Sequence, residues 1–323
     1  MSALTQARPS DVLTLGETMV ALRGSGPLKL GGSMDVSIAG AESNVAIGLA
    51  RLGHATRWAG AVGDDEAGEL VLRTLRAEGV DVSGATRDPG APTGLILFEP
   101  RLPEVTRVHY YRAGSAGSRL TAAAVEGAFA TPGAPGVLHL TGITPALGPS
   151  ARDACRRALE LARECGTTVC LDVNFRSRLW SAEESAAVMR SWIPYVDVLI
   201  ASDDELPLCA PEEATPGEAR ALLAGGVGEV VVKLGADGAT AHTVEGELHV
   251  PARPVRAVDA VGAGDAFVAG YLSALLDGEN VTGRLDRAVT TGAFAVASHG
   301  DWEGAPTRPE LGLLGAGPGT VIR

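Results

Sequence analysis

The chain has 323 residues, 46% hydrophobic and 20% charged, the make-up of a soluble globular protein with room for one large α/β domain or two ordinary ones. A net charge of −12 with no basic run excludes a nucleic-acid binder, although a small anionic substrate met by a local cationic pocket stays possible. No charged stretch leads into an apolar one near the N-terminus, and no apolar run reaches membrane-spanning length, so a cytoplasmic protein without a membrane partner is expected.

Residues 12–38 read as strand and turn, with "SMDVSIAG" alternating polar and apolar residues and no helical period. "SNVAIGLARLG" follows as a helix capped at Ser43 or Asn44 and stopped at Gly53. "DDEAGELVLRTLRAEG" makes a second helix from about Asp65 to Gly79. Residues 93–113 again read as strand and turn.

From residue 137 on, strands and helices alternate. "GVLHLTG" is a strand, and "SARDACRRALELARECG" is an amphipathic helix that stops at Gly166. "TTVCLDV" is the next strand, and "SAEESAAVMRSW" opens a helix with Ser181 and Glu184 in capping-box spacing. After the strand "VDVLIAS", the helix "TPGEARALLAGG" has Thr215 as its cap and Pro216 at its first position. "EVVVKLG" is another apolar strand, then a hairpin spans roughly 239–250, and residues 314–323 read as a loose tail. The cysteines along this stretch, Cys155, Cys165, Cys170 and Cys209, have neither C-x-x-C spacing nor paired histidines. Free, mostly buried thiols are expected there and a metal site is not.

Wholly apolar strands separated by helices predict a mostly parallel sheet with both faces covered. The two segments without helical period, about 16–38 and 93–113, predict a small β lid built from two insertions. Ligands of such sheets sit beyond the carboxyl ends of the strands. Four of those ends carry polar residues here: Asn174 and Arg176, Ser202 to Glu205, Lys233 to Gly238, and Gly262 to Asp265. One crevice is implied.

The stretch "AVDAVGAGDAFVAG" decides what the crevice does. It lacks the third glycine of a dinucleotide fingerprint, and the chain has no P-loop, G-x-S-x-G or H-E-x-x-H motif. Two readings compete for Asp265: a helix cap behind a glycine turn, or a catalytic carboxylate. Successive unhindered N–H groups of Gly262, Ala263 and Gly264 at a helix N-terminus suit phosphate oxygens. A carboxylate beside an anion site makes sense when it faces a second reactant. A hydroxyl nucleophile, losing its proton to Asp265 and attacking a phosphorus held by the turn with Mg²⁺, meets that condition.

The motif "DAVGAGDAFVAGYL" resembles the C-terminal signature of the ribokinase-like sugar kinases, and "AGAESNVAIGLARLG" resembles their N-terminal one. The likeness runs from about residue 11 to 310. Within that family, "YYRAGSAGSRL", "LDVNFRSRLW" and "HGDWEGAP" are most similar to the kinases of 2-keto-3-deoxygluconate. The resemblance implies one three-layer ribokinase-like α/β domain across 1–323, with ATP and Mg²⁺ as cofactors and a sugar acid as substrate. Kinases of fructose or 2-keto-3-deoxygalactonate, and a non-catalytic sugar-acid sensor on the same fold, are the alternatives.

It also implies roles. Gly40, Ala41, Glu42, Ser43 and Asn44 match the loop that holds sugar hydroxyls. Tyr110, Tyr111 and Arg112 match the lid strand that closes on the acid-sugar. Arg176 matches an arginine between substrate and nucleotide phosphates. Ser202, Lys233, Leu234, Gly235, Gly238 and Gly262–Ala263–Gly264 match nucleotide-binding positions. Asp265 matches the catalytic base, Asp301 a carboxylate bonded to substrate, and Glu205 a glutamate near the Mg²⁺ waters. Two positions depart from the pattern: Ile96 stands for a lid tyrosine and Val289 for an asparagine near the base. The exposed strand edges of a lid lead to the expectation of a homo-oligomer.

Overall fold

The computed structural model describes residues 10–102, 105–130, 133–214 and 217–315. The first third of the chain runs through β1 (Val12–Leu15), β2 (Met19–Gly24), β3 (Met34–Ala39), helix α1 (Ala41–Arg51), β4 (Thr56–Ala59), β5 (Ala61–Gly63) and α2 (Glu66–Ala77). It continues with β6 (Thr86–Asp88), β7 (Leu95–Leu102), β8 (Val105–Tyr111), α3 (Ala122–Ala130), β9 (Val137–Thr141), α4 (Pro149–Cys165) and β10 (Thr168–Asp172). Then come α5 (Ala182–Trp192), β11 (Val198–Ser202), α6 (Glu218–Ala224) and β12 (Glu229–Lys233). The hairpin β13 (Ala239–Thr243) and β14 (Gly246–Val250) precedes α7 (Ala263–Leu276) and α8 (Val281–Val296).

Eight strands form the main sheet in the order β14-β13-β12-β11-β10-β9-β1-β4. All its pairings are parallel except those of the β13–β14 hairpin at one edge. Alternate residues of each strand face opposite sides, so every central strand contributes to two cores. Val12, Val137, Cys170, Ile200 and Val231 pack with Val45, Leu49, Phe267 and Leu272 of α1 and α7. Leu13, Leu138, Leu171, Leu199 and Val230 pack with Val125, Leu159, Met189 and Leu222 of the helices on the other face. Among the described residues, no helix is long and apolar enough to cross a membrane.

The local signals place the elements as their chemistry requires. Asp65 caps α2 by accepting the Gly68 N–H at 2.7 Å, and α4 ends on Gly166, whose φ of 69° suits a residue without Cβ. The Ser181–Glu184 capping box opens α5. Three expectations are corrected. Helix α1 begins at Ala41 with Gly40 as its cap, so Ser43 and Asn44 lie inside its first turn and Asn44 keeps its side chain for other work. Helix α6 is capped by Gly217; Thr215 and Pro216 lie outside the described residues. Leu314 and Gly315 belong to a 3₁₀ segment, Arg308–Gly315, and the rest of the expected tail lies outside the described residues.

A second sheet, in the order β3-β2-β7-β8, stands apart from the first. Its strands fall within the two segments read as a lid, and β1, which immediately precedes them, belongs to the main sheet, between β9 and the edge strand β4. Chain following Asp301 ties this small sheet down: Ser37 Oγ donates to Glu303 at 2.6 Å, and Trp302 Nε1 donates to the Ile38 carbonyl at 3.1 Å. Cys155, Cys170 and Cys209 are buried, and burial pushes the Cys209 thiol up to about 12, far from reactive thiolate.

Candidate active site

A cleft of about 1370 Å³ lies between the small sheet and the carboxyl ends of the parallel strands. Gly40, Ala41, Glu42 and Asn44 line it from α1, and Tyr110, Tyr111 and Arg112 from β8 and its end. Arg176, Ser202, Glu205 and Lys233 line it from the strand ends, with Gly262, Gly264, Asp265 and Asp301 closing the far side. Ser43, Leu234, Gly235, Gly238 and Ala263 are not among the lining residues. Ser43 turns back to donate to the Gly40 carbonyl at 2.9 Å, and Gly238 sits where a Cβ would overlap the Val250 carbonyl.

Asp265 is not a cap. Helix α7 starts at Ala263 with Gly262 as its cap, which puts Asp265 third in the helix. Its carboxylate is buried and accepts the Asn44 Nδ2 amide at 2.8 Å. Burial pushes its pKa up to about 7, the neighbouring Asp172 adds to the rise, and the Asn44 hydrogen bond, Arg176 and Lys233 oppose it. Asn44 Oδ1 is buried with no hydrogen-bond partner among the described residues, an acceptor that an incoming hydroxyl would satisfy.

The turn ahead of Asp265 is held by a close approach. Gly262 has φ 75°, and a Cβ on it would overlap the Asp301 carbonyl oxygen. Gly264 is open by contrast, with Lys233 Nζ 3.9 Å from where a Cβ would stand. The N-terminal turn of α7 therefore opens on the cleft at Gly264 and Asp265, beside a cation.

Two acidic residues in the cleft wall form a buried frame. Glu42 Oε1 accepts the hydroxyls of Thr141 at 2.6 Å and Thr144 at 2.7 Å, and burial raises its pKa. Glu17, also buried, takes the Nε of Arg112 at 2.7 Å and the hydroxyl of Ser115. Gly16 and Gly117 leave the room: a Cβ on either would overlap one of these side chains.

Sequence reasoning missed Glu17, Arg23 and Asp172. Arg23 of β2 lies over the Phe98 ring at 4.0 Å and pairs with Asp301. Burial pushes Asp301 up to about 7 against that pairing. Asp172, the last residue of β10, accepts Lys233 Nζ at 2.6 Å. A carboxylate ending an otherwise apolar strand was the available signal for it.

Glu205 uses both oxygens on backbone: Oε1 accepts Phe175 N–H at 2.7 Å and Oε2 accepts Ser202 N–H at 2.8 Å. Among the described residues, no group of three or more His, Cys, Asp or Glu is gathered as a metal nest. Glu205 lines the same cleft, so its carboxylate is the group that would meet, through water, a Mg²⁺ carried in on phosphate.

A glycine turn at a helix N-terminus, a buried carboxylate one step behind it and an unsatisfied buried acceptor suit a phosphoryl-transfer enzyme with an alcohol acceptor. The model of the pfkB family of carbohydrate kinases matches residues 10–308, and the chain belongs to that family. It is an ATP-dependent carbohydrate kinase of ribokinase-like fold. The chain is 37% identical to the 2-dehydro-3-deoxygluconokinase of Bacillus subtilis (strain 168), over 93% of this chain and 94% of that one. It is 34% identical to the 2-dehydro-3-deoxygalactonokinase of Haloferax volcanii, over 90% and 92%. A ribokinase-type structure from E. coli in complex with ATP and Mg²⁺ superposes with a TM-score of 0.84 at 25% identity, covering 94% of this chain and 98% of that one. ATP and Mg²⁺ are general to the family.

Proposed function

We propose that the protein transfers the γ-phosphoryl group of ATP to the terminal hydroxyl of 2-keto-3-deoxygluconate, also named 2-dehydro-3-deoxygluconate, in the cytoplasm. The observation that carries the reading is the Asp265 carboxylate, bonded to Asn44 and standing in the first turn of α7 behind Gly262 and Gly264. Asp265 takes the hydroxyl proton as the oxygen forms its bond to phosphorus, and ADP leaves with the electron pair of the broken P–O bond. The N–H groups of the turn, Lys233 and Arg176 stabilise the charge on the phosphoryl oxygens. Mg²⁺, when bound, would neutralise phosphate charge, and Glu205 is the residue that would hold it, through water. Asn44 and the α1 loop hold the sugar hydroxyls, and the small sheet shields the phosphoryl group from water.

The acid end of the substrate needs a cation in a protein of net charge −12. Arg112 lines the cleft away from the anion turn and spends two of its five donors on Glu17. Arg112→Ala is expected to raise KM for the sugar acid by about 10–150-fold, the worth of a charge-assisted hydrogen bond, with KM for ATP nearly unchanged. Its melting temperature falls as well, because Glu17 is left buried without its cation. Coupled assays over sugar acids and neutral hexoses test the assignment. A wild-type preference for fructose, or a variant that loses ATP affinity instead, would sink it. A preference for the galacto epimer would move the substrate to that of the Haloferax relative, and no ATP turnover with any sugar would leave the sensor.

We further propose a homo-oligomer joined through the small sheet. Of the large apolar side chains exposed among the described residues, Val244 and Val258 lie elsewhere and the rest, Leu30, Val36 and Leu102 among them, belong to that sheet or its loops. Val36→Asp is expected to yield monomers by light scattering coupled to gel filtration. A wild-type monomer would end this proposal.

A further inference from the structure

We propose that Asp172 is a positioning residue of this site: it fixes the Lys233 ammonium at the anion turn and so keeps that cation from pairing with Asp265. The inference rests on the reading of Asp265 as the base. Asp172 is almost wholly buried at the end of β10. Its Oδ1 accepts Lys233 Nζ at 2.6 Å, and its Oδ2 accepts Asn174 Nδ2 at 3.3 Å. Lys233 ends β12, so its side chain reaches across β11 to make this bond. Asn174 has φ 42°, the one non-glycine among the described residues in the left-handed region, a conformation that persists where the surroundings fix it. Both of its fixed neighbours line the cleft.

The chemistry needs this separation. Lys233 and Asp265 share the cleft, and two opposite charges in a buried site attract strongly. A base bound in an ion pair is a poor proton acceptor. With Asp172 holding Lys233, the carboxylate of Asp265 keeps only the uncharged amide of Asn44 as its close partner. The groups facing Asp265 are Asn44 from α1, Asp172 from β10, Arg176 just beyond it and Lys233 from β12; Glu205 faces Lys233. His139 of β9 stands opposite Cys170, two register rows below Asp172, buried with neither ring nitrogen bonded, and burial and the Lys233 charge hold it neutral down to about pH 3. It adds no charge to the balance at working pH.

The test is the acid limb of kcat/KM for the sugar acid against pH. In Asp172→Asn the like charge is gone and Lys233 is free to approach Asp265, and both changes favour the ionised base. The limb is expected to move down by about one pH unit, with kcat on the plateau falling roughly 3–10-fold as the base weakens. In Asp172→Asn/Lys233→Met neither charge remains, and the limb should lie between the single variant and wild type. An unmoved or upward-shifted limb in the single variant overturns the proposal. Should the single variant not fold, a limb in the double variant that does not lie below wild type overturns it. Asp265→Asn, measured alongside, separates the two claims: retained turnover there removes the base and this inference together, whereas lost turnover with an unmoved Asp172→Asn limb removes only the positioning role.

Discussion

Asp265→Asn lowers kcat by about 10²–10⁴-fold at saturating substrates, the usual contribution of a positioned general base. Asn keeps the shape and can still meet the Asn44 side chain, so both KM values stay within roughly threefold. The pH profile follows from the same group. Asp265 must be ionised to accept the proton, and burial lifts it to about 7. Wild-type kcat/KM therefore rises with pH up to about 7 and levels above it, falling about tenfold per unit on the acid side. The linked effect on folding has the opposite direction. A carboxyl whose folded pKa is raised above the ordinary aspartate value of 3.8 binds its proton more tightly when folded. That contribution to stability is present at low pH and is lost as pH rises to about 7. Asp265→Asn is then more stable than wild type at pH 8, by on the order of 1–3 kcal/mol, and its advantage disappears near pH 4. A variant with half the wild-type kcat, or one no more stable at pH 8, would return Asp265 to a structural role.

The parallel half of the fold is legible because its strands are buried on both faces. "EVVVK" and "VLIAS" are apolar throughout, and the helices between them carry caps or left-handed stops that chemistry dictates locally. The first half is harder. Strand β4, "TRWA", contains Arg57, which is nonetheless buried because it donates to Asp81 at 2.9 Å and to the Ala128 carbonyl at 2.8 Å. Those partners lie 24 and 71 residues away, and no local pattern announces them. Helix α8 has a good cap, Asn280 accepting Gly283 N–H at 2.9 Å, but its threonines and glycines blunt the helical signal.

The site divides the same way. Positions that a backbone turn requires, such as Gly262, and the carboxylate beside it stand out in one stretch of sequence. Positions that matter through a distant partner do not. Nothing local marks Glu17, which lies between β1 and β2: its partners Arg112 and Ser115 are 95 and 98 residues on. Arg23 has no local signal either, because its partner Asp301 lies 278 residues away. Asn44 looks like a cap, and only the placement of Gly40 one turn earlier frees its amide for Asp265.

Gly262 and Gly264 are two residues apart, and alanine at each is expected to fail differently. At Gly262 the new methyl meets the Asp301 carbonyl, and φ 75° is strained for any side chain with a Cβ. Relief requires the Asp301 segment to move, and that segment is paired to Arg23 and packed by Trp302 against the small sheet. Gly262→Ala should therefore lose about 2–4 kcal/mol of stability and at least about 100-fold in kcat/KM, because the anion turn and the lid attachment shift together. Gly264 stands inside the first turn of α7 with no crowding neighbour, so Gly264→Ala should be neutral or stabilised by up to about 1 kcal/mol. Its methyl stands where phosphate oxygens approach the backbone, so KM for ATP rises about tenfold or more with the fold intact. Melting temperatures and KM values for both substrates distinguish the two. Equal destabilisation of both variants, or an unchanged KM for ATP in Gly264→Ala, would mean that the turn shapes the helix and does not hold the nucleotide.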